Sequence, residues 1–130
     1  MAEADFKGKD VLLVDDDRDI LTAIEAAISE LGVDIRTTGN GNTAVEMVEE
    51  KTPDLLILDQ MLPGRSGFLV LEKIRGIRQE TGKPPVIMIT ANPGQRHKVY
   101  AETLGVDAYI NKPFRMQKLI DATIELLSKE

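Results

Sequence analysis

Short apolar or β-branched runs alternate with stretches of helical periodicity along the whole chain. Five such runs predict strands, at residues 11–14, 34–38, 55–58, 86–90 and 108–110. After four of these runs, apolar residues recur at helical spacing, which is typical of an amphipathic helix, and a weaker helix is predicted after the run at 86–90. Because this β-α unit occurs five times, the alternation predicts an α/β protein whose parallel sheet is covered by helices on both faces.

The connections between these units restrict the strand order. Right-handed crossovers place the second strand beside the first, and covering both faces requires the winding to reverse, so that the third strand lies on the first strand's other side. The predicted fold is a doubly wound, five-stranded parallel sheet of order 2-1-3-4-5, a flavodoxin-like (βα)5 arrangement. Residues 1–8 are expected to form an N-terminal tail and residues 9–130 a single domain, since this length fits one domain.

The third predicted strand ends in an acid and a sharp turn. Residues 55–58 are all apolar, which suits a strand that is buried on both faces. Asp59 follows directly, and Pro63-Gly64 indicates a turn shortly afterwards. A carboxylate at the end of a buried strand is costly unless another group compensates its charge. The ends of the other strands supply candidates for such a group.

Polar side chains stand at the ends of three other predicted strands. They are Asp15 and Asp16 after the first, Thr90 at the end of the fourth, and Lys112 after the fifth. In a parallel sheet these ends share one edge, and the ligand crevice lies at the ends of the first and third strands. Three carboxylates there would repel by on the order of 4 kcal/mol per close pair, which a bound Mg²⁺ would offset. Asp59 would then be an acid nucleophile beside a metal ion, a lysine and a hydroxyl. This combination predicts a site that accepts a phosphoryl group.

The composition argues against several other classes of function. The chain has no cysteine, which excludes disulfides, thiolate zinc sites and a cysteine nucleophile. Its net charge of −6 argues against direct binding of nucleic acid, and the basic residues between positions 73 and 83 are expected to form a solvated helix face. No apolar stretch approaches the roughly 20 residues of a membrane span, and the N-terminus lacks the apolar core of a signal peptide, so a cytoplasmic location is expected. His97, the only histidine, is expected to be an exposed helix residue.

Four segments together resemble a known family. They are, in chain order, VLLVDDD, LLILDQMLPGRSG, VIMITA and AYINKPF. In this order and at these spacings they resemble the receiver domain of two-component response regulators, in particular single-domain receivers of the chemotaxis-regulator type. The resemblance covers essentially the whole chain. Whether the protein is a stand-alone regulator or the receiver of a longer protein stays open.

The resemblance implies a role for each acid of the predicted site. Asp59 is the phosphorylation site. Asp16 and Asp59 bind Mg²⁺ or Mn²⁺ directly, together with the backbone carbonyl of Met61, whereas Asp15 acts mainly through water. The acids therefore hold the metal, and only Asp59 is modified.

The resemblance also implies a switch. Thr90 and Lys112 contact the phosphoryl oxygens, and the peptide bond between Lys112 and Pro113 is cis. When the phosphoryl group is present, the Thr90 hydroxyl moves toward it and the ring of Tyr109 rotates inward. These movements remodel the surface formed by the fourth helix, the fifth strand and the last helix.

The implied partners are proteins. A histidine kinase or a phosphotransfer protein donates the phosphoryl group, and the output is binding to a downstream protein that the sequence does not identify. Direct contact with nucleic acid or membrane is not expected, and a phosphorylation-dependent homodimer would use the same switched surface. The protein is not expected to be an enzyme beyond catalysing its own aspartate phosphorylation and dephosphorylation.

Two positions tune the lifetime of the phosphoryl group in this family, and here they are Met61 and Asn92. Neither is an acid or a base that could direct a water molecule, and we hypothesise that the apolar Met61 shields the phosphoryl group. The sequence Asn92-Pro93-Gly94 leaves the extent of the fourth helix open.

Two other functions are compatible with this fold class. An interaction module that no longer takes phosphate would have lost one of the paired acids, the acceptor or the lysine, and all of these are present. A hydrolase with an aspartate nucleophile would need a second acid two residues later, where Met61 stands, and an insertion that could form a substrate cap. Some of the polar residues also have simpler explanations, and Asp17 is expected to cap the first helix.

Overall fold

The computed structural model describes residues 6–78, 84–91 and 94–129. Its elements, in chain order, are β1 (Asp10–Val14), α1 (Arg18–Ser29), β2 (Asp34–Thr38), α2 (Gly41–Glu50), β3 (Leu55–Asp59), α3 (Gly67–Arg78), β4 (Val86–Thr90), α4 (Gln95–Thr103), β5 (Ala108–Asn111) and α5 (Met116–Ser128). All strand pairs are parallel, and the sheet order is β2-β1-β3-β4-β5. The predicted fold class and strand order are therefore confirmed.

Three strands are one residue longer than the apolar pattern predicts. The additional residues are polar, and each continues the main-chain ladder with its neighbour: Asp10 pairs with Asp34, Asp59 with Ile89, and Asn111 with Thr90. Backbone pairing does not depend on side-chain polarity, so the hydrophobic pattern alone makes these strands one residue too short.

Two separate cores lie on the two faces of the sheet. Alternate residues of β1 and β3 point to opposite sides, as the period of a strand requires, so that Leu13 and Ile57 face one core while Leu12 and Leu56 face the other. The first core contains residues of α1 and α5, and the second contains residues of α2, α3 and α4. Phe6 packs against the first core, and its N–H donates to the carbonyl of Leu31. Because every residue of β1, β3 and β4 is buried, the carboxyl edge of the sheet is where polar groups can collect.

The helix ends agree only partly with the sequence. Asp17 caps α1 as predicted, since its carboxylate accepts from the N–H groups of Asp19 and Ile20. The sequence Gly39-Asn40-Gly41 is typical of a turn, but α2 already begins at Gly41, because the Asn40 side chain accepts from two N–H groups of its first turn. Gly32 is a typical residue after a helix end, but helix α1 already ends at Ser29, and tight turns span the intervening residues.

A buried ion pair links β1, β2 and the end of α2. The Asp10 carboxylate accepts from Arg36, with Nη2 at 2.5 Å and Nε at 3.1 Å. The same guanidinium donates to the carbonyls of Met47 and Lys51 at the end of α2. Asp10 is 3% exposed, so its charge depends on this one arginine for compensation among the residues that the structure describes.

Several predictions about loops concern residues outside the described ranges. They include part of the basic segment between positions 73 and 83, as well as Asn92 and Pro93. In the three described segments, no helix has the length and apolar character needed to cross a membrane.

Candidate functional site

Three carboxylates meet at the carboxyl edge of the sheet. Asp15, Asp16 and Asp59 each bring one oxygen within 4.8 Å of the others. The register explains why, since Val14 pairs with Leu58 and the residues that follow them are Asp15 and Asp59. Asp15 and Asp59 are each 3% exposed, whereas Asp16 is exposed. The predicted acidic cluster is therefore present, with two buried members and one that faces solvent.

Lys112, the residue that follows β5, places its amine against the acidic cluster. Its Nζ is 3.1 Å from Asp15 Oδ2 and 3.4 Å from Asp59 Oδ2. The Lys112 N–H donates to the Thr90 carbonyl at 2.7 Å, and the peptide bond to Pro113 is cis, as the resemblance implied. Desolvation by itself would lower the pKa of the Lys112 amine, but hydrogen bonding to Asp15 and the charges of both carboxylates outweigh it and raise the pKa. Lys112 is therefore a fixed positive charge at the site.

The environment of Asp59 disfavours its charged form. Burial, followed by the charge of Asp15, raises the pKa of the Asp59 carboxyl from 3.8 to about 6, although the Met61 N–H and the Lys112 amine oppose the rise. The Met61 N–H donates to Asp59 Oδ1 at 3.2 Å. Burial and the neighbouring carboxylate thus outweigh the two interactions that favour the ionised form of Asp59.

The donor set fits a hard divalent cation. All three acids offer oxygen ligands, which Mg²⁺ and Mn²⁺ prefer, and two of them, Asp15 and Asp59, are buried side by side with one lysine between them. The exposed position of Asp16 leaves the cluster open to solvent on one side. Such an opening suits Mg²⁺, which keeps several of its waters.

A buried hydrogen-bond chain runs from the end of β4 to α4. The Thr90 hydroxyl donates to Gln60 Oε1, and Gln60 Nε2 lies 3.2 Å from His97 Nδ1. Thr90 is 0% and Gln60 5% exposed. The His97 ring is partly buried and stacks on Phe68 of α3, with centroids 5.9 Å apart and ring planes 3° from parallel. The expectation that His97 is an exposed helix residue is therefore wrong, because α4 packs it against α3 and the residue next to the acceptor.

Gln60 is a residue that the sequence analysis missed. The last registered pair of β3 and β4 is Asp59 with Ile89, so the next residues, Gln60 and Thr90, lie side by side. The sequence offers one signal for Gln60, because it is a polar residue that directly follows Asp59 at the end of a buried strand. Its contact with His97 of α4 could not be predicted from sequence spacing.

Tyr109 is already turned toward the protein interior. Its ring packs against the core formed with α2, α3 and α4, and its buried hydroxyl has no hydrogen-bond partner of good geometry among the described residues. Burial raises the pKa of the Tyr109 phenol, while the nearby Thr90 hydroxyl opposes the rise. The Tyr109 hydroxyl is therefore already buried next to Thr90 in this structure, and the predicted inward rotation of the ring would begin from this position.

Close backbone packing holds the loop between β3 and α3. The Gly67 N–H donates to the Gln60 carbonyl at 2.8 Å, and the Gly41 N–H donates to the Pro63 carbonyl at 3.1 Å. A Cβ atom at Gly67 would collide with the Asp59 carbonyl, and one at Gly41 would collide with the Arg65 carbonyl. Both glycines are thus required by the close approach of two backbones, and together they fix the loop that carries Met61.

A comparison with known families identifies the chain. The family model of the response regulator receiver domain matches residues 11–124. The chain belongs to this family. Receiver domains are switches of two-component signalling rather than enzymes in the ordinary sense; they pair with histidine kinases and downstream effectors, and they bind Mg²⁺ at an acidic pocket. In this receiver domain, the pocket corresponds to the cluster of Asp15, Asp16 and Asp59.

Solved receiver domains share the whole fold of this one. The receiver domain of Francisella response regulator 1452 is 27% identical, with a TM-score of 0.86 over 94% of this chain and 98% of that chain. A CheY-like receiver domain protein from Methanospirillum hungatei is 28% identical, with a TM-score of 0.84 over 93% and 94%. The BeF3-activated N-terminal receiver domain of Klebsiella pneumoniae RstA is 27% identical, with a TM-score of 0.81 over 92% and 98%.

Proposed function

We propose that Asp59 accepts a phosphoryl group from a histidine kinase or a phosphotransfer protein and that the modified receiver binds a downstream protein. The observation that carries this proposal is the position of Asp59. It is buried beside Asp15, within 3.4 Å of the Lys112 amine, and within 4.8 Å of both other acids through one oxygen each. A carboxylate in such surroundings has a charge partner for an incoming phosphoryl group and a place for a metal ion.

The transfer exchanges one bond for another. A carboxylate oxygen of Asp59 attacks phosphorus, the bond from phosphorus to the donor's imidazole nitrogen breaks, and the electron pair leaves with that nitrogen. The Lys112 amine compensates charge on the phosphoryl oxygens. When bound by Asp15, Asp16 and Asp59, with the Met61 carbonyl as a further ligand, Mg²⁺ or Mn²⁺ would supply positive charge for the same oxygens. Hydrolysis of the acyl phosphate by water later regenerates Asp59, so the domain catalyses only its own modification and its reversal.

The response starts at Thr90 and Tyr109. The Thr90 hydroxyl lies at the carboxyl end of β4, next to the site, and it can donate to a phosphoryl oxygen on Asp59. The Tyr109 phenol follows because its buried hydroxyl lies beside Thr90. A change at these two side chains alters the surface of α4, β5 and α5, which we propose as the binding surface for the downstream protein and for a phosphorylation-dependent homodimer.

An apolar groove beside the site supports a protein as phosphoryl donor. It opens next to Lys112, between α1 and the segment that connects β5 to α5, and its apolar lining consists of Ile20, Ala23, Ala91, Pro113, Phe114 and Met116. A donor that covers this groove would bring its phosphorylated histidine to the edge of the acidic cluster. Since kinases draw on ATP, we infer that the exchange takes place in the cytoplasm.

The decisive experiment is an intact-mass measurement after incubation with acetyl phosphate and Mg²⁺. We expect a gain of one phosphoryl group in the wild type and none in Asp59→Asn or in the presence of EDTA. Because a short-lived acyl phosphate can escape detection, binding of beryllofluoride with Mg²⁺ is measured in parallel. Failure of both measurements would overturn the proposal and favour an interaction module that no longer takes phosphate.

A further inference from the structure

The hydrogen-bond chain through Gln60 is the feature that the proposed function leaves unexplained. We propose that Gln60 is a positioning residue that holds the Thr90 hydroxyl in the unphosphorylated protein and transmits its release to α4 through His97. This inference rests on the proposed function, because the release is driven by a phosphoryl group on Asp59. It assigns to α4 a direct link to the site, separate from the ring of Tyr109.

The first step concerns the orientation of the Gln60 amide. The Thr90 hydroxyl donates to Gln60 Oε1, which leaves Nε2 as the amide atom that faces His97 Nδ1 at 3.2 Å. An amide nitrogen can only donate, so His97 Nδ1 must be the unprotonated acceptor and Nε2 must carry the ring proton. The chain of bonds therefore fixes one tautomer of the only histidine in the protein.

The second step is a competition for one proton. A hydroxyl has a single proton to donate, so Thr90 cannot donate to Gln60 and to a phosphoryl oxygen at the same time. A phosphoryl group on Asp59 therefore gains its bond from Thr90 only by taking the proton from Gln60 Oε1. Because Gln60 is 5% exposed, the abandoned oxygen has little access to water, and its amide must reorient.

The third step leads from Gln60 to the surface. Reorientation of the amide changes the group that faces His97 Nδ1. The imidazole is stacked on Phe68, and Phe68 meets Tyr100 edge to face, with centroids 5.0 Å apart. The Tyr100 hydroxyl in turn donates to Glu72 of α3. A change at His97 is thus passed to the contact between α3 and α4.

The test uses Gln60→Met, which keeps an unbranched side chain of similar length but forms neither hydrogen bond. Because the Thr90 hydroxyl no longer donates to residue 60 in this variant, it is available to the ligand. The variant should therefore bind beryllofluoride with Mg²⁺ more tightly than the wild type. A single neutral hydrogen bond corresponds to about a 2- to 10-fold change in affinity. His97→Phe is the matched control, since it keeps a ring against Phe68 and leaves the Thr90–Gln60 bond in place. Its affinity for beryllofluoride should remain within about 2-fold of the wild type.

The second readout is the imidazole NMR spectrum of ¹⁵N-labelled protein, in which His97 is the only histidine. In the wild type, Nδ1 should be unprotonated, and the His97 signals should shift when beryllofluoride binds. In Gln60→Met and in Thr90→Val, beryllofluoride should no longer shift these signals. A structural role for Gln60 in packing alone would not predict that Gln60→Met, which leaves Thr90 and Tyr109 unchanged, silences a ring on α4.

Failure of this inference is separable from failure of the proposed function. Wild-type protein that binds beryllofluoride without a change at His97 overturns the coupling and leaves the proposed function intact, as does Gln60→Met with wild-type affinity. A proton on Nδ1 of His97 overturns the assigned direction of the bonds. Wild-type protein that binds no beryllofluoride overturns both. If Gln60→Met does not fold, Gln60→Leu, which also forms neither hydrogen bond, takes its place, and the protonation of Nδ1 in the wild-type spectrum still tests the assigned direction of the bonds.

Discussion

The Lys112 amine lies 3.1 Å from the Asp15 carboxylate although 97 residues separate the two in sequence. The same amine reaches Asp59 at 3.4 Å. One cation therefore bridges two buried acids that would otherwise repel each other, and it does so from the opposite end of the chain. The chemistry of the site depends on this bridge, because it compensates part of the negative charge before any phosphoryl group arrives.

Replacement of Lys112 by methionine should slow the phosphorylation of Asp59. The substitution removes a fixed positive charge aimed at the phosphoryl oxygens, and loss of one such group costs about 100-fold or more in rate. Initial rates of phosphorylation by acetyl phosphate with saturating Mg²⁺ provide the measurement. Lys118→Met removes an exposed lysine of α5 and serves as the control. A Lys112 variant with the wild-type rate would contradict the assigned role.

Replacement of Asp59 by asparagine should stabilise the metal-free protein at neutral pH. The pKa of Asp59 is raised from 3.8 to about 6 in the folded state, so between these values the folded protein holds more protons than the unfolded chain. The free energy of unfolding of the wild type therefore falls as pH rises through this window. The gain from Asp59→Asn should be near zero at pH 4 and reach on the order of 2–3 kcal/mol at pH 7.5.

Urea unfolding in EDTA from pH 4 to pH 8 measures this difference. Asp34→Asn, at an exposed carboxylate of β2, is the matched control. Added Mg²⁺ should reduce the advantage of Asp59→Asn, because the ion binds the folded wild type more tightly. A gain in stability that is equal at every pH would contradict the raised pKa.

Met61→Asn tests the shielding hypothesis. The Met61 side chain is 60% exposed and its N–H is bonded to Asp59, so the substitution changes access to the acceptor without disturbing a core. We expect a shorter half-life of the acyl phosphate, by about 3-fold or more, since an amide can orient an attacking water. The half-life is followed by intact mass after the removal of acetyl phosphate. An unchanged half-life would lead us to abandon the hypothesis.

Replacement of Arg36 by methionine should destabilise the fold without touching the site. The variant leaves the Asp10 carboxylate buried without its guanidinium, at a cost of about 3–5 kcal/mol in the free energy of unfolding. The double variant Asp10→Leu/Arg36→Met removes both charges and should recover part of that loss. Urea unfolding at pH 7 measures both. If the double variant is less stable than Arg36→Met alone, the carboxylate is not the source of the penalty.

The sequence predicts the sheet and the acids because both depend on short-range patterns. Apolar runs mark the strands, right-handed connections order them, and residues that follow paired strands, such as Asp15 and Asp59, must then meet. The contact of Gln60 with His97 is not predictable in this way, since it depends on how α4 packs over the edge. The same holds for Asp10 and Arg36, which become diagonal neighbours only once the register of β1 and β2 is known.

The two glycines that allow the loop after β3 to close have a consequence for the tolerance of this protein to mutation. Neither Gly41 nor Gly67 contributes a functional group, yet a single added methyl at either would collide with the backbone beside the acceptor or its loop. In a saturation-mutagenesis map of signalling output, these two positions should be as intolerant as the acids. Such a map would therefore mark more positions as essential than take part in the chemistry. At two of them, Gly41 and Gly67, the requirement is the absence of a side chain.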